Sequence, residues 1–235
     1  MKLKIFTVPN TITCLNLVSG CLSINSAFSG DFLWAFLWIV LAAVFDFLDG
    51  FAARLLKSPS EIGKELDSLA DAVSFGAAPA FILYNLLTLS GGERWENYLV
   101  FIVAAFSALR LAKFNLDTRQ TTEFIGLPTP ANALLIASTA ETLAMNGSAW
   151  RDAALSGPWY VIAGAIVLSL LLTSEIPMFS FKFKHFGFRE NALRYIFLLY
   201  AAALLFAWDL KAVPVVILSY ILVSVVRAMV RKRKE

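Results

Sequence analysis

Eight times along this chain a stretch of about 17–25 residues runs almost free of charge: roughly 11–28, 32–54, 65–89, 97–114, 128–145, 158–174, 192–208 and 212–229. Wound as a helix, a stretch of that length matches the hydrocarbon core of a bilayer. In hydrocarbon every backbone polar group must find its partner within the protein, which leaves helices as the economical solution. The sequence therefore predicts an all-α polytopic membrane protein with about eight transmembrane helices. Composition agrees: 59% of the 235 residues are hydrophobic and 16% are charged, against about 25% charged in soluble domains. One membrane bundle uses up this length, so residues 1–235 read as a single membrane-embedded domain. Nothing in the charge pattern points to nucleic acid.

Lysine and arginine fix the expected orientation, since they concentrate in cytoplasmic loops. With the N-terminus in the cytoplasm, 17 of the 20 basic residues fall inside, and only Arg94, Arg151 and Lys211 fall outside. Both termini are then cytoplasmic, and the C-terminal RKRKE is a topology anchor with some attraction for anionic lipid. The apolar run to Ala27 contains Asn10, Thr13 and Asn16, which argues against a cleaved signal peptide. Cys14 and Cys21 lie seven residues apart on one helix, too far for a bridge, and read as small buried hydrophobes. The sole histidine, His185, reads as an interfacial side chain, and the sequon at 146–148 carries no weight. With no disulfide requirement, the inner membrane of a prokaryote is the expected home.

Four aspartates interrupt the second and third stretches: Asp46, Asp49, Asp67 and Asp71. A carboxylate at membrane depth costs roughly 2.5–3.5 kcal/mol on insertion scales, so it rarely persists without a partner or a task. Asp46 and Asp49 are i,i+3 on one helix face, and Gly50, Ala53 and Arg54 continue that face. Asp67 and Asp71 are i,i+4 on the next helix, with Gly63 one turn before. The short polar connection KSPSE at 57–61 predicts antiparallel neighbours whose acidic faces meet near the membrane surface.

Four converging carboxylates cannot all ionise without compensating charge, and Arg54 can neutralise only one. Hard oxygen donors with no nitrogen or sulfur nearby favour Mg²⁺ or Mn²⁺ over zinc, and four carboxylates suffice for two ions, an arrangement suited to displacement at phosphorus. Gly50 and Ala53 leave room for a bulky polar ligand, Arg54 offers a fork for phosphate oxygens, and Ser60 adds a hydroxyl. These residues alone describe a two-metal site for a phosphate-bearing substrate at the membrane surface. Two other readings compete: carboxylates paired with Arg54, Lys57 and Lys64 for structure, and a divalent-cation pathway. The first leaves the shared acid, glycine and alanine faces unexplained. The second would spread acids through the membrane depth.

The segment DFLDGFAARLLKSPSEIGKELDSLAD resembles the signature of the CDP-alcohol phosphotransferases, D-x2-D-G-x2-A-R-x8-G-x3-D-x3-D. It falls without departure on Asp46, Asp49, Gly50, Ala53, Arg54, Gly63, Asp67 and Asp71. The resemblance implies that Asp46, Asp49 and Asp67 ligate two Mg²⁺ or Mn²⁺ ions. It makes Asp71 both a ligand and the base that takes the alcohol proton, and puts Gly50, Ala53, Arg54, Ser60 and Gly63 beside CDP-diacylglycerol. Pro9-Asn10-x-x-Thr13 is similar to the family's nucleotide-side element, which adds Asn10 and Thr13. Further stretches look like the branch that makes phosphatidylserine: RLAKFN at 110–115, with lysine at 113 where arginine is usual, GLPTPANA at 126–133 and SFKFK at 180–184.

The resemblance covers about residues 8–184, the expected catalytic core; the last two stretches, 192–229, carry no specific match. It implies transfer of a phosphatidyl group from CDP-diacylglycerol to L-serine, giving phosphatidylserine and CMP, in a protein that forms a homodimer in the bilayer. Arg110 and Lys113, i,i+3 at one helix end, can point inward together and hold serine's carboxylate or the phosphates, with Asn115 beside them. Glycerol 3-phosphate or an inositol phosphate is the alternative acceptor within the family.

Overall fold

The computed structural model describes residues 5–58, 60–117, 119, 124–145, 157–179 and 187–232. The expectations for SFKFK at 180–184, His185, the sequon at 146–148 and the last three residues of RKRKE lie outside them. The described chain is helical nearly throughout. Helix α1 (Val8–Phe28) starts at Thr7, whose hydroxyl accepts the Asn10 N–H at 3.3 Å. Helix α2 (Phe32–Leu55) starts at Asp31, which accepts the Trp34 N–H at 3.1 Å. Helix α3 (Glu61–Asp71) starts at Ser60, which accepts the Gly63 N–H at 3.1 Å. Each short polar side chain satisfies a backbone donor that the helix itself cannot. Between α2 and α3 the chain reverses through Lys57, whose φ of 49° is left-handed.

Helix α3 does not stop at Asp71. A π-helical segment, Ala72–Ala77, carries it into α4 (Ala78–Gly91). A 3₁₀ turn, Trp95–Phe101, leads into α5 (Ile102–Leu116), followed by α6 (Thr129–Met145), α7 (Trp159–Thr173), α8 (Phe188–Trp208) and α9 (Val213–Lys232). Two-residue strands β1 (Phe124–Ile125) and β2 (Pro177–Met178) pair antiparallel. At the turn after β1, Gly126 has φ +77° and lies so close to the Leu172 and Ser174 carbonyls that a side chain would not fit. Among the described residues, five helical runs are long and apolar enough to cross a membrane: Val8–Phe28, Phe32–Leu55, Glu61–Gly91, Trp95–Leu116 and Asn191–Arg231. The last run turns back on itself at Asp209, whose φ is 51°. Tyr200 and Ser219 then hydrogen-bond at 2.9 Å across the α8–α9 hairpin.

Helix α1 is built inside out compared with a helix of a soluble protein. On α1 the buried face is polar or small: Asn10, Thr13, Asn16, Ser19, Gly20, Ser23 and Ala27. Its apolar side chains, Leu15, Val18 and Leu22, point outward. Lipid solvates leucine as well as a protein core does, so helix contacts go to small residues and polar pairs. The same logic corrects the reading of the cysteines. Cys14 and Cys21 are exposed on the outer face of α1, not buried, because the inner face is reserved for polar contacts. Helix α1 packs against both α2 and α3. It also comes close to the π-helical segment at Gly20, where an added Cβ would lie 2.7 Å from Ser74 Cα.

Candidate metal and phosphate site

Because α1 sits against both α2 and α3, the room between those two helices is left to their side chains. Carboxylate oxygens of Asp46, Asp49 and Asp67 converge there, all within 4.8 Å of one another. Asp71, 7% exposed, is close enough to Asp46 and Asp67 to feel both charges. It is the last residue of α3 before the π-helical widening, a backbone irregularity that recurs at functional sites. The four acids expected to share a site are thus brought together by two helices.

Helix α1 orients this cluster. Thr13 Oγ1 lies 2.5 Å from Asp49 Oδ2, and Asn16 donates from Nδ2 to Asp71 Oδ1 at 3.1 Å. Asn16 is itself fixed by Ser74, whose hydroxyl donates to the Asn16 carbonyl at 2.9 Å. Asn16 Oδ1 and Asp67 Oδ1 are buried and have no hydrogen-bond partner. Buried acceptors of this kind are expensive unless something supplies the missing positive charge or donor. Three hard carboxylate donors, one of them with an orphaned oxygen, fit a divalent cation of the Mg²⁺ or Mn²⁺ type.

A cavity of about 230 Å³ opens over the cluster, lined by Pro9, Asn10, Thr13, Asp49, Gly50, Ala53, Ser58, Ser60, Gly63, Lys64 and Asp67. Six residues expected on the nucleotide side (Asn10, Thr13, Gly50, Ala53, Ser60 and Gly63) therefore share one wall with two of the acids. Gly63 is tight: a Cβ there would stand 3.0 Å from Ser60 Oγ and 3.1 Å from Asn10 Oδ1. Arg54 is exposed at the rim, its guanidinium lying over Gly50, 3.7 Å from where a Cβ would be.

The three residues expected to bind the acceptor separate. Arg110 is 6% exposed and turns inward, where it interacts electrostatically with Asp71 and Asp46. It donates to Thr129 Oγ1 at 3.3 Å and lies over the Phe114 ring at 5.0 Å, and its Nε is unpartnered. Lys113 turns away, pairing with Glu175 at 2.5 Å and with the Thr173 carbonyl at 3.2 Å. A rotation of 300° separates i from i+3, and at this helix end the difference puts the two cations against different neighbours. Asn115 ties helices together instead: its Nδ2 donates to Ser68 Oγ at 2.8 Å, and its carbonyl accepts from Lys64 Nζ at 3.4 Å.

Sequence reasoning passed over Asn16 and Thr129. The signal for Asn16 was present in the polar stripe Asn10, Thr13, Asn16, Gly20 and Ser23, at helical spacing on an otherwise apolar helix. Thr129 sits within the GLPTPANA stretch but was not singled out from it.

The family model described as CDP-alcohol phosphatidyltransferase matches residues 6–174, which contain the whole acidic site. The chain is 34% identical over 178 residues to the CDP-diacylglycerol–serine O-phosphatidyltransferase of Mycobacterium leprae, covering 73% of this chain and 57% of the relative. It is 42% identical over 137 residues to the protein of that name from Methanocaldococcus jannaschii, covering 57% and 60%. With the Bacillus subtilis protein of that name it shares 33% identity over 186 residues, covering 76% and 90%. The chain thus spans less than two thirds of the first two relatives and nine tenths of the third.

Proposed function

This chain belongs to the CDP-alcohol phosphatidyltransferase family, and we propose that it transfers the phosphatidyl group of CDP-diacylglycerol to L-serine, releasing phosphatidylserine and CMP. The observation that carries the reading is the convergence of Asp46, Asp49 and Asp67 within 4.8 Å beneath a cavity walled in part by Gly50, Ala53 and Gly63 of the motif. The names of the relatives support serine as the acceptor.

Asp46, Asp49 and Asp67, joined by Asp71, would hold two Mg²⁺ or Mn²⁺ ions. When bound, such ions offset the charge of the diphosphate and make CMP a better leaving group. The chain's own residues do the rest. Asn10, Thr13, Gly50, Ala53, Ser60 and Gly63 form the cavity wall that receives the CDP moiety, and Arg54 reaches over it from the rim to the phosphate oxygens. Asp71, oriented by Asn16, accepts the proton of the serine hydroxyl. The serine oxygen bonds to the phosphorus that carries diacylglycerol as the bond from that phosphorus to CMP breaks. Arg110 balances the carboxylate charge from the far side of Asp71 and supplies the cation closest to the acceptor. Positioning and charge stabilisation account for the catalysis.

Eight crossings with both termini in the cytoplasm place the acidic ends of α2 and α3 at the inner face of a prokaryotic membrane. There CDP-diacylglycerol enters sideways from the lipid, and the protein works as a homodimer. The test is CMP release by purified protein with CDP-diacylglycerol, Mn²⁺ and a panel of serine, glycerol 3-phosphate and inositol phosphate. Release with serine alone supports the reading. Release with a phosphorylated acceptor alone keeps the family chemistry and refutes serine. No release, together with Mn²⁺ flux through the protein in liposomes, replaces the enzyme with a cation pathway.

A further inference from the structure

Unmet hydrogen-bonding capacity is buried beside Arg110 as well as among the acids. Asn132 on α6 is 0% exposed, and neither its Nδ2 nor its Oδ1 has a hydrogen-bond partner among the described residues. Arg110 Nε has none either. A buried amide that uses neither its donor nor its acceptor is costly, and native proteins rarely keep one without an occupant. The mechanism derived so far gives Asn132 nothing to do.

Helix geometry places Asn132. On α6, Thr129, Asn132 and Ile136 follow at i, i+3 and i+7 and so share a face. The Thr129 end of that face meets α5, where Arg110 Nη1 donates to Thr129 Oγ1 at 3.3 Å. The Ile136 end shares an apolar cluster with Val103 of α5. Val103, Ser107 and Arg110 are themselves i, i+4 and i+7, so the two faces run antiparallel. Asn132 then comes opposite Ser107, one turn from Arg110. Ser107 lies against the π-helical segment: its hydroxyl donates to the Phe75 carbonyl at 3.5 Å, and a Cβ on Gly76 would stand 3.1 Å from Ser107 Cβ. That segment starts directly after Asp71. Ser169 of α7, its hydroxyl also buried without a partner, is at the same level, one turn before the Thr173 carbonyl that Lys113 reaches.

The unmet groups specify an occupant. Arg110 Nε and Asn132 Nδ2 are donors and suit a carboxylate. Asn132 Oδ1 is an acceptor and calls for a donor. A bare anion such as a phosphate dianion would leave that oxygen unmet, whereas an amino acid carries both a carboxylate and an ammonium. We propose that Asn132 selects the acceptor: its Nδ2, beside Arg110 Nε, holds the carboxylate of L-serine, and its Oδ1 accepts from the ammonium, leaving the hydroxyl free for Asp71. This inference rests on the reading of the acidic site as a phosphatidyltransferase that uses serine. Asn132 binds and positions the acceptor and makes no bond to the reacting atoms.

The test is initial-rate CMP release by the full chain with CDP-diacylglycerol and Mn²⁺, using L-serine, 3-hydroxypropanoate (no ammonium) and ethanolamine (no carboxylate) as acceptors. The unaltered protein is expected to use serine at least about tenfold more efficiently than either analogue, since each analogue forfeits a hydrogen bond made by a charged group. In Asn132→Ala the KM for serine rises roughly 10- to 150-fold, and the lead of serine over 3-hydroxypropanoate shrinks. The KM for CDP-diacylglycerol stays put, because Asn132 does not line the nucleotide cavity. Ser138→Ala, which removes a buried hydroxyl bonded to the Leu134 carbonyl on the same helix, changes neither KM. Equal efficiency with serine and 3-hydroxypropanoate in the unaltered protein overturns the proposal, and that comparison needs no variant to fold. A KM for serine within twofold of normal in Asn132→Ala overturns it too, by leaving Asn132 to ordered water, as does an equal rise in the KM of both substrates. Release with glycerol 3-phosphate and none with serine overturns the reading of the acceptor itself, and this inference with it.

Discussion

Asn16 gives the sharpest handle on how the site works, because it touches Asp71 and lies outside the recognised signature. Its side chain is fully buried and donates to Asp71 Oδ1 at 3.1 Å, and no other hydrogen bond to that carboxylate is present among the described residues. Replacing Asn16 by leucine keeps the branched outline of the side chain without its donor, and leaves the backbone carbonyl that accepts from Ser74 in place. What is lost is one hydrogen bond to a charged group, worth about 1.5–3 kcal/mol when the charge is left without its partner. If Asp71 works as the base only in the orientation that Asn16 sets, that loss appears in the transition state. At a factor of ten per about 1.4 kcal/mol, kcat for CMP release falls roughly 10- to 150-fold. The KM for CDP-diacylglycerol should hardly move, since Asn16 does not line the nucleotide cavity. The assay is initial-rate CMP release against both substrates, with size-exclusion elution and melting temperature as checks on folding. A folded Asn16→Leu protein within twofold of the unaltered kcat, beside an inactive Asp71→Asn protein, would refute the claim that Asn16 orients the base.

Three further outcomes follow from the same geometry. Arg110→Gln removes a buried cation that interacts with both Asp71 and Asp46, and CMP release should drop more than 100-fold, whereas Lys113→Ala should stay within about fivefold because its partly exposed pair with Glu175 is worth at most about 1 kcal/mol. Equal losses in the two variants, measured side by side, would contradict the separation of these side chains. Gly20→Val drives a side chain into the Ser74 backbone, so a loss of about 1–3 kcal/mol is expected from overpacking, read as a lower melting temperature in detergent. Gly126→Ala combines a left-handed φ with collision against the Leu172 carbonyl and should likewise melt earlier; an unchanged melting temperature would show that the β1–β2 turn is not rigid.

Sequence periodicity was enough to find the helices and the acidic faces, because both depend on neighbours three and four residues apart. Asp46, Asp49, Asp67 and Asp71 could be paired on paper, and the short 57–61 connection told which faces meet. What the sequence did not tell is the part of α1, which packs on both helices while their carboxylates meet between them. That arrangement depends on Gly20 admitting Ser74, a contact 54 residues apart in sequence. Arg110 and Lys113 make the same point. Helix geometry puts them within reach of one face, but their directions are decided by Thr129 and Glu175, which belong to distant segments. The cysteines were misread by a soluble-protein habit: in lipid the outward face is the apolar one, and small side chains such as Cys14 and Cys21 are free to lie there.

The central claim is that the aspartates of α2 and α3 form a divalent-metal site. Its most direct test is Mn²⁺ binding to the purified protein, followed by electron paramagnetic resonance of the free ion. The account predicts saturable binding of two Mn²⁺ per chain, lost in Asp49→Asn and in Asp67→Asn and retained in Glu141→Gln, which alters a buried carboxyl on α6 outside the cluster. Absence of saturable binding, or binding indifferent to Asp49 and Asp67, would contradict it.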